Sequence, residues 1–223
     1  MFSFDTYMSR KDDLRRSINA ELDVLWAHIA WEQIERVVDM GCGTGVTAME
    51  LATHHDIFIT CIDRDERSIS VLRKKALANG VEDRIETRIM DMRDISYPPG
   101  HFDMILSEGS VQFIGFEAAL EEWGALLRGG GYFFIHMDSA DLERRLEALS
   151  LHDFAVLGIK MISSDTWMRL YVRPLLDIID SIQDSDSMDA ILREQMEQDE
   201  HELREAVKDE KKLSSMVYLL KKH

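Results

Sequence analysis

The chain has 223 residues, enough for about one and a half ordinary domains, so a single α/β domain with an appendage is expected. With 45% hydrophobic and 30% charged residues a core can form beneath a charged surface, and no run of about eighteen apolar residues exists to span a membrane. The net charge of -16 disfavours a protein that works by neutralising phosphates, and with it a nucleic-acid substrate. The N-terminus, MFSFDTYMSRKDD, has no apolar stretch of signal length, so a cytoplasmic address is expected. Cys42 and Cys61, in a Gly turn and an apolar strand, read as buried reduced thiols.

In chain order, Ser9 reads as the cap of an amphipathic helix whose Leu14, Ile18, Leu22, Leu25 and Ile29 repeat at three and four. Arg36 to Met40 is a short buried strand ended by GCGTG, and Ala48, Leu51 and Ala52 mark a helix after it. A second strand, Ile57 to Ile62, ends at Asp63; the helix from Asp65 stops at Asn79-Gly80; a third strand covers Ile85 to Met90. Pro98-Pro99-Gly100 precedes a fourth strand at 102–106 that ends in SEGS. A helix from Phe116 is expected to close at Gly129-Gly130-Gly131 and turn into a fifth strand, YFFIHM. Helix Asp141 to Leu149 and strand Phe154 to Ile162 follow.

This alternation predicts a parallel sheet covered on both faces. Beyond it, Trp167, Leu170, Tyr171, Leu175, Ile178, Ile179 and Ile182 give a helical stripe, expected to bend or break near Pro174. A second helix from about Met188 carries a narrow seam, Leu192, Met196, Leu203 and Val207, and residues 214–222 read as a closing strand. Between Asp177 and Lys211 thirteen Asp or Glu stand against four Lys or Arg, so this stretch holds more than half of the acid excess.

Polar residues gather where the strands end. Gly41, Gly43 and Gly45 let the backbone turn sharply and approach a ligand with amides from the next helix. A dinucleotide fingerprint is GxGxxG; here its third glycine is Val46, and Asp39 sits poorly beside a pyrophosphate but well beside a cation. Asp63 lies about twenty residues after the loop, where a carboxylate can accept both hydroxyls of a ribose. Asp91, Ser107 and Glu108 end the third and fourth strands, at the carboxyl edge where open α/β sheets bind ligands. Of eight histidines only His54-His55 form a close pair, and their side chains diverge, so no metal site is expected.

VVDMGCGTG, CIDRDE, IMDMRD, FDMILSEGS and LLRGGGYFFI, in this order over residues 35–137, resemble the motifs of the class I S-adenosylmethionine-dependent methyltransferases. More narrowly, SEGSVQFIGFEAALEEW is similar to small-molecule methyltransferases that carry EGAIYNIGFE there, with Gln112 and Phe113 in place of Tyr and Asn, and Gly129 where Pro is usual. The resemblance implies a Rossmann-like, doubly wound, seven-stranded and mostly parallel sheet with the last strand antiparallel, plus a helical insert. It implies one domain: an N-terminal helix or lid at 1–30, a core at 31–164, the insert at 165–212 and the final strand at 213–223. S-adenosylmethionine is the implied cofactor. Gly41 and Gly43 would pass beneath its methionine part, with Gly45 in the same loop, and Asp39 would help hold its ammonium. Asp63 would take the ribose hydroxyls, Arg64 would cover one adenine face, Asp91 and the Met92 amide would read the adenine edge, and the Ser107 carbonyl would lie near the amine.

Methyl transfer from a sulfonium is an in-line displacement that asks mainly for orientation and exclusion of water. A base is needed only when the nucleophile arrives protonated, and Glu108 and His136 are the residues placed for it. The expected function is methyl transfer to a small-molecule acceptor, without nucleic acid, membrane or metal, and with a homodimer as one open assembly. The alternative is an S-adenosylmethionine-binding scaffold or regulatory partner without transferase activity.

Overall fold

The computed structural model describes residues 3–183, 188–209 and 213–223; positions 184–187 and 210–212 of the acidic stretch lie outside them. Helix α1 (Phe4–Asn19) starts earlier than the expected Ser9 cap. The extended Ser3 accepts the Thr6 amide at 3.2 Å, and Asp5 complements the positive end of the helix. A short α2 (Asp23–Trp26) follows. Then β1 (Arg36–Met40), α3 (Val46–His54), β2 (Phe58–Asp63), α4 (Glu66–Ala78), β3 (Ile85–Ile89) and β4 (Phe102–Glu108) alternate as expected. Asp65 caps α4 through the Arg67 and Ser68 amides, and Gly80 at φ +65° takes the left-handed turn after it.

The segment after β4 departs from expectation. The helix from Phe116 is one short turn, α5 (Phe116–Ala118), that widens into a π turn over Ala119–Trp123 and tightens over Gly124–Leu126. The three glycines do not close it: they lie inside β5 (Leu127–Asp138). Phe102 pairs with Leu127 while Met104 pairs with Tyr132, so β5 bulges where the glycines fall. Gly130 has φ +75°, and a Cβ on Gly131 would lie 2.9 Å from the Asp103 carbonyl oxygen, which is why a side chain is not accommodated there. Lys222 donates to the Gly124 and Leu127 carbonyls at 2.9 Å each, satisfying acceptors at the end of the turn.

Helix α6 (Leu142–Leu151), β6 (Phe154–Ile162) and β7 (Ser215–Lys222) complete a seven-stranded sheet of order β3-β2-β1-β4-β5-β7-β6. It is the expected Rossmann-like sheet, parallel from β3 to β5 and antiparallel where β7 enters. Parallel pairing brings the carboxyl ends of β1, β2, β3, β4 and β5 to one edge, and Glu108 stands directly beside His136 in the register. The core beneath is built from Val38, Ile105, Phe133, Ile135, Trp123 and Tyr218, none more than 1% exposed. Asp103 clamps the opposite edge, accepting the Glu35 and Arg36 amides at 2.9 and 2.7 Å and Arg128 Nε at 2.5 Å.

The chain divides into two compact units: Asp23–Met137, Asp141–Lys160 and Met216–His223 form one, and the segments up to Leu22, Asp138–Ala140 and Met161–Ser215 the other. The second unit holds α1, α7 (Ser164–Trp167), α8 (Arg173–Gln183) and α9 (Ala190–Val207). The run through Pro174 does not break: a π turn over Met168–Val172 widens the coil just before the proline, whose missing amide would otherwise leave a carbonyl without its donor. At the centre of this unit the buried Asp199 accepts Tyr7 Oη at 2.7 Å and pairs with Lys11 Nζ at 2.6 Å, tying α1 to α9. No helix among the described residues is long and apolar enough to cross a membrane.

Candidate active site

The glycine loop is shaped by two close approaches. Gly41 (φ +74°) runs against Ser110, whose Cβ would be 2.7 Å from a Cβ on the glycine. Gly45 (φ +71°) runs against α4, where an added Cβ would meet Leu72 Cδ1 at 2.5 Å, so this glycine serves packing between helices. The Gly41 and Cys42 amides donate to the Ile62 carbonyl at 2.8 and 2.9 Å, locking the loop onto the end of β2. Asp63 completes the lock: its Oδ2 accepts the Gly43 amide at 2.8 Å and its Oδ1 the Asp65 amide at 2.9 Å. A carboxylate has about four lone-pair positions, so two more hydroxyl donors are still accommodated. Cys42 and Cys61 are both free thiols, Cys61 buried and Cys42 partly so; their mutual contact and burial push the Cys42 thiol up.

Beside the loop lies a cavity of about 330 Å³ lined by Gly41, Asp63, Arg64, Asp91 and Met92 among the expected residues. Gly43, Gly45, Asp39, Ser107, Glu108 and His136 are not in that lining. Ser110 and Phe113 are, and sequence reasoning did not single out either for the site. The Ser110 hydroxyl donates to the Met40 carbonyl and lies 2.6 Å from Ser107 Oγ, pinning the turn after β4 to the end of β1. Phe113, exposed on its short turn, has the Arg64 guanidinium 5.9 Å from its ring centre, so residues from β2 and from beyond β4 meet at the cavity. Asp91 accepts the Arg93 amide and Nε, both at 2.9 Å, and this pairing holds its carboxyl well below the usual range.

Asp39, only 4% exposed at the end of β1, is the electrostatic outlier. Burial first, then the nearby Glu108 and Asp63 carboxylates, push its pKa well above the ordinary value. No donor among the described residues reaches its carboxylate. Glu108 is more firmly held: it accepts the Thr47 hydroxyl from the first turn of α3 and stands 3.5 Å from Nδ1 of the buried His136. Thr47 was not foreseen, because its partner lies 61 residues away on another element. Among the described residues no group of three or more His, Cys, Asp and Glu is placed to hold a metal ion.

A glycine loop after β1, acids after β2 and β3, and this strand order define the class I S-adenosylmethionine-dependent methyltransferase fold. Residues 37–131 match the family model of a methyltransferase domain. A 27-O-demethylrifamycin SV methyltransferase from Amycolatopsis mediterranei (strain S699) is 31% identical over 71 residues, covering 32% of this chain and 26% of the relative. The chain spans less than two thirds of the length of the curated relatives it matches. The fold is shared with the cyclase SpnF (TM-score 0.73, 20% identity, 92% of this chain and 80% of that one). It is shared also with an S-adenosylhomocysteine-bound methyltransferase from Geobacter sulfurreducens (TM-score 0.68, 18% identity, 92% and 91%).

Proposed function

We propose that this protein binds S-adenosylmethionine at the carboxyl edge of its sheet and transfers the methyl group to a small-molecule acceptor. The observation that carries the reading is Asp39: a buried carboxylate beside two other acids calls for a cationic ligand, which offsets the cost of burial and eases both repulsions. A nicotinamide dinucleotide would instead bring a pyrophosphate into this field. The cavity beside Asp63 and Arg64 is of a size for a nucleoside, and the remaining lone pairs of Asp63 suit a ribose. S-adenosylmethionine, when bound, supplies a methyl group on a sulfonium.

The chain's own contribution is orientation and charge. Gly41 and Gly43 present backbone where side chains would obstruct, Asp39 holds an ammonium, and Asp63 fixes the ribose. Arg64 and Met92 flank the adenine, Asp91 stays ionised through Arg93, and Ser107 and Ser110 keep the turn after β4 in place. Gly45 supports the loop from behind through Leu72. Glu108 takes a proton from a protonated nucleophile or balances a cationic one, with Thr47 and His136 fixing the carboxylate's direction.

Titration calorimetry tests the reading. S-adenosylhomocysteine is expected to bind and NADH not to, and Asp63→Ala is expected to weaken binding by about 1.5–3 kcal/mol, the weight of hydrogen bonds to a charged acceptor. NADH binding, or an Asp63→Ala protein of unchanged affinity, would sink it. Binding without turnover on any acceptor would leave the scaffold alternative.

A further inference from the structure

A second concavity of about 180 Å³ lies in the unit that contains most of the sheet and shares no lining residue with the cavity beside the glycine loop. Trp26 and Trp31 form one side, their ring centres 6.0 Å apart and their planes tilted by 47°. Each indole is already fixed on one face. Trp26 stacks on Phe134 at 4.2 Å and Trp31 on His55 at 4.0 Å, both nearly parallel. The lining also includes one face of α3: Thr47, Glu50, Leu51 and His54 recur at the three- and four-residue spacing that stacks side chains along a helix.

We infer that Trp26, Trp31 and Glu50 form a binding site for a small organic ammonium ion. Indole faces attract cations through the ring quadrupole, and two of them set at an angle with a carboxylate in the same lining suit an alkylated ammonium group. Among the described residues no Lys or Arg lines the concavity to compete for those faces. His55, the imidazole stacked on Trp31, is lowered in pKa by burial and by His54, so it brings no positive charge at neutral pH. The chain's net charge of -16 raises the local concentration of small cations around it. The stacking on Phe134 and His55 means that the indoles need not reorganise to receive the ligand, which limits the cost of ordering on binding. The site does not depend on a cofactor in the larger cavity.

The four tryptophans, 26, 31, 123 and 167, give four indole N–H signals in a proton–nitrogen correlation spectrum, so occupancy can be read position by position. Choline is the probe, and 3,3-dimethylbutan-1-ol, of the same shape without the charge, is its control. Choline is expected to shift the Trp26 and Trp31 signals saturably while the buried Trp123 stays still, and the alcohol is expected to bind roughly tenfold more weakly or worse. Glu50→Gln is expected to weaken choline binding roughly tenfold, and Trp31→Leu is the second variant, expected to weaken it similarly. Absence of saturable shifts, equal binding of the alcohol, or full affinity in both variants would overturn the inference. Because every measurement is made without S-adenosylhomocysteine, these outcomes are independent of the proposed transferase.

Discussion

Asp39 carries opposite consequences for the free and the ligand-bound protein. Its folded pKa is raised, so its contribution to stability is present at low pH and is lost as pH rises through the folded value. Where it ionises, the group therefore works against the fold, and on the alkaline side Asp39→Asn is expected to stabilise the ligand-free protein by about 0.5–2 kcal/mol, as relief at functional sites commonly does. The gain should shrink as pH falls, because the wild-type group is then protonated. The same variant should bind S-adenosylhomocysteine more weakly. Thermal unfolding at several pH values beside calorimetry reads both effects. Glu108 makes a different prediction: Glu108→Gln keeps the shape held between Thr47 and His136 but removes the charge. Cofactor affinity should change far less than turnover on a protonated acceptor, which should fall about 10²–10⁴-fold, the usual weight of a positioned base. Equal turnover in both proteins would leave Glu108 an ordering carboxylate.

Among the elements, the loop and the helix behind it are coupled through one glycine. Gly45→Ala would place a Cβ 2.5 Å from Leu72 Cδ1 at a left-handed φ of +71°, and it should cost about 1–3 kcal/mol in denaturant unfolding. In a Leu72→Ala background, itself destabilised by the cavity, the further cost of Gly45→Ala should shrink to the backbone strain alone. In the helical unit α1 is held to α9 through a buried acid. Asp199→Ala should destabilise by about 3–5 kcal/mol because it strands Lys11, whereas Tyr7→Phe removes one hydrogen bond and should cost about 0.5–1.5 kcal/mol. Similar losses in the two variants would mean that Lys11 does not depend on Asp199.

At the scale of the whole molecule, the legible features were those whose cause is local. An acid after an apolar strand reads as a strand end, three glycines after β1 read as a tight turn, and a parallel sheet then brings those ends to one edge without any contact having to be foreseen. Features set by distant partners did not read. The Gly129 to Gly131 run looked like a helix stop, yet its role is to let β5 bulge past the Asp103 carbonyl. Thr47 and Ser110 sat in motif segments without a visible partner, because Glu108 and Met40 reach them only through the sheet. Trp26 and Trp31 belong to no motif, and only the packing of α3 gives them a concave side.

The most direct test of the central claim, that the buried Asp39 and its neighbouring acids at the sheet edge recognise a cationic cofactor, is the proton balance of binding. S-adenosylhomocysteine is titrated by calorimetry in buffers of different ionisation enthalpy between about pH 5 and 8. Its ammonium favours the ionised form of Asp39, so the protein that starts partly protonated should release protons on binding, and affinity should fall as pH is lowered. In Asp39→Asn the proton release should vanish. Binding with no net proton transfer and no pH dependence, the same in wild type and Asp39→Asn, would contradict the account.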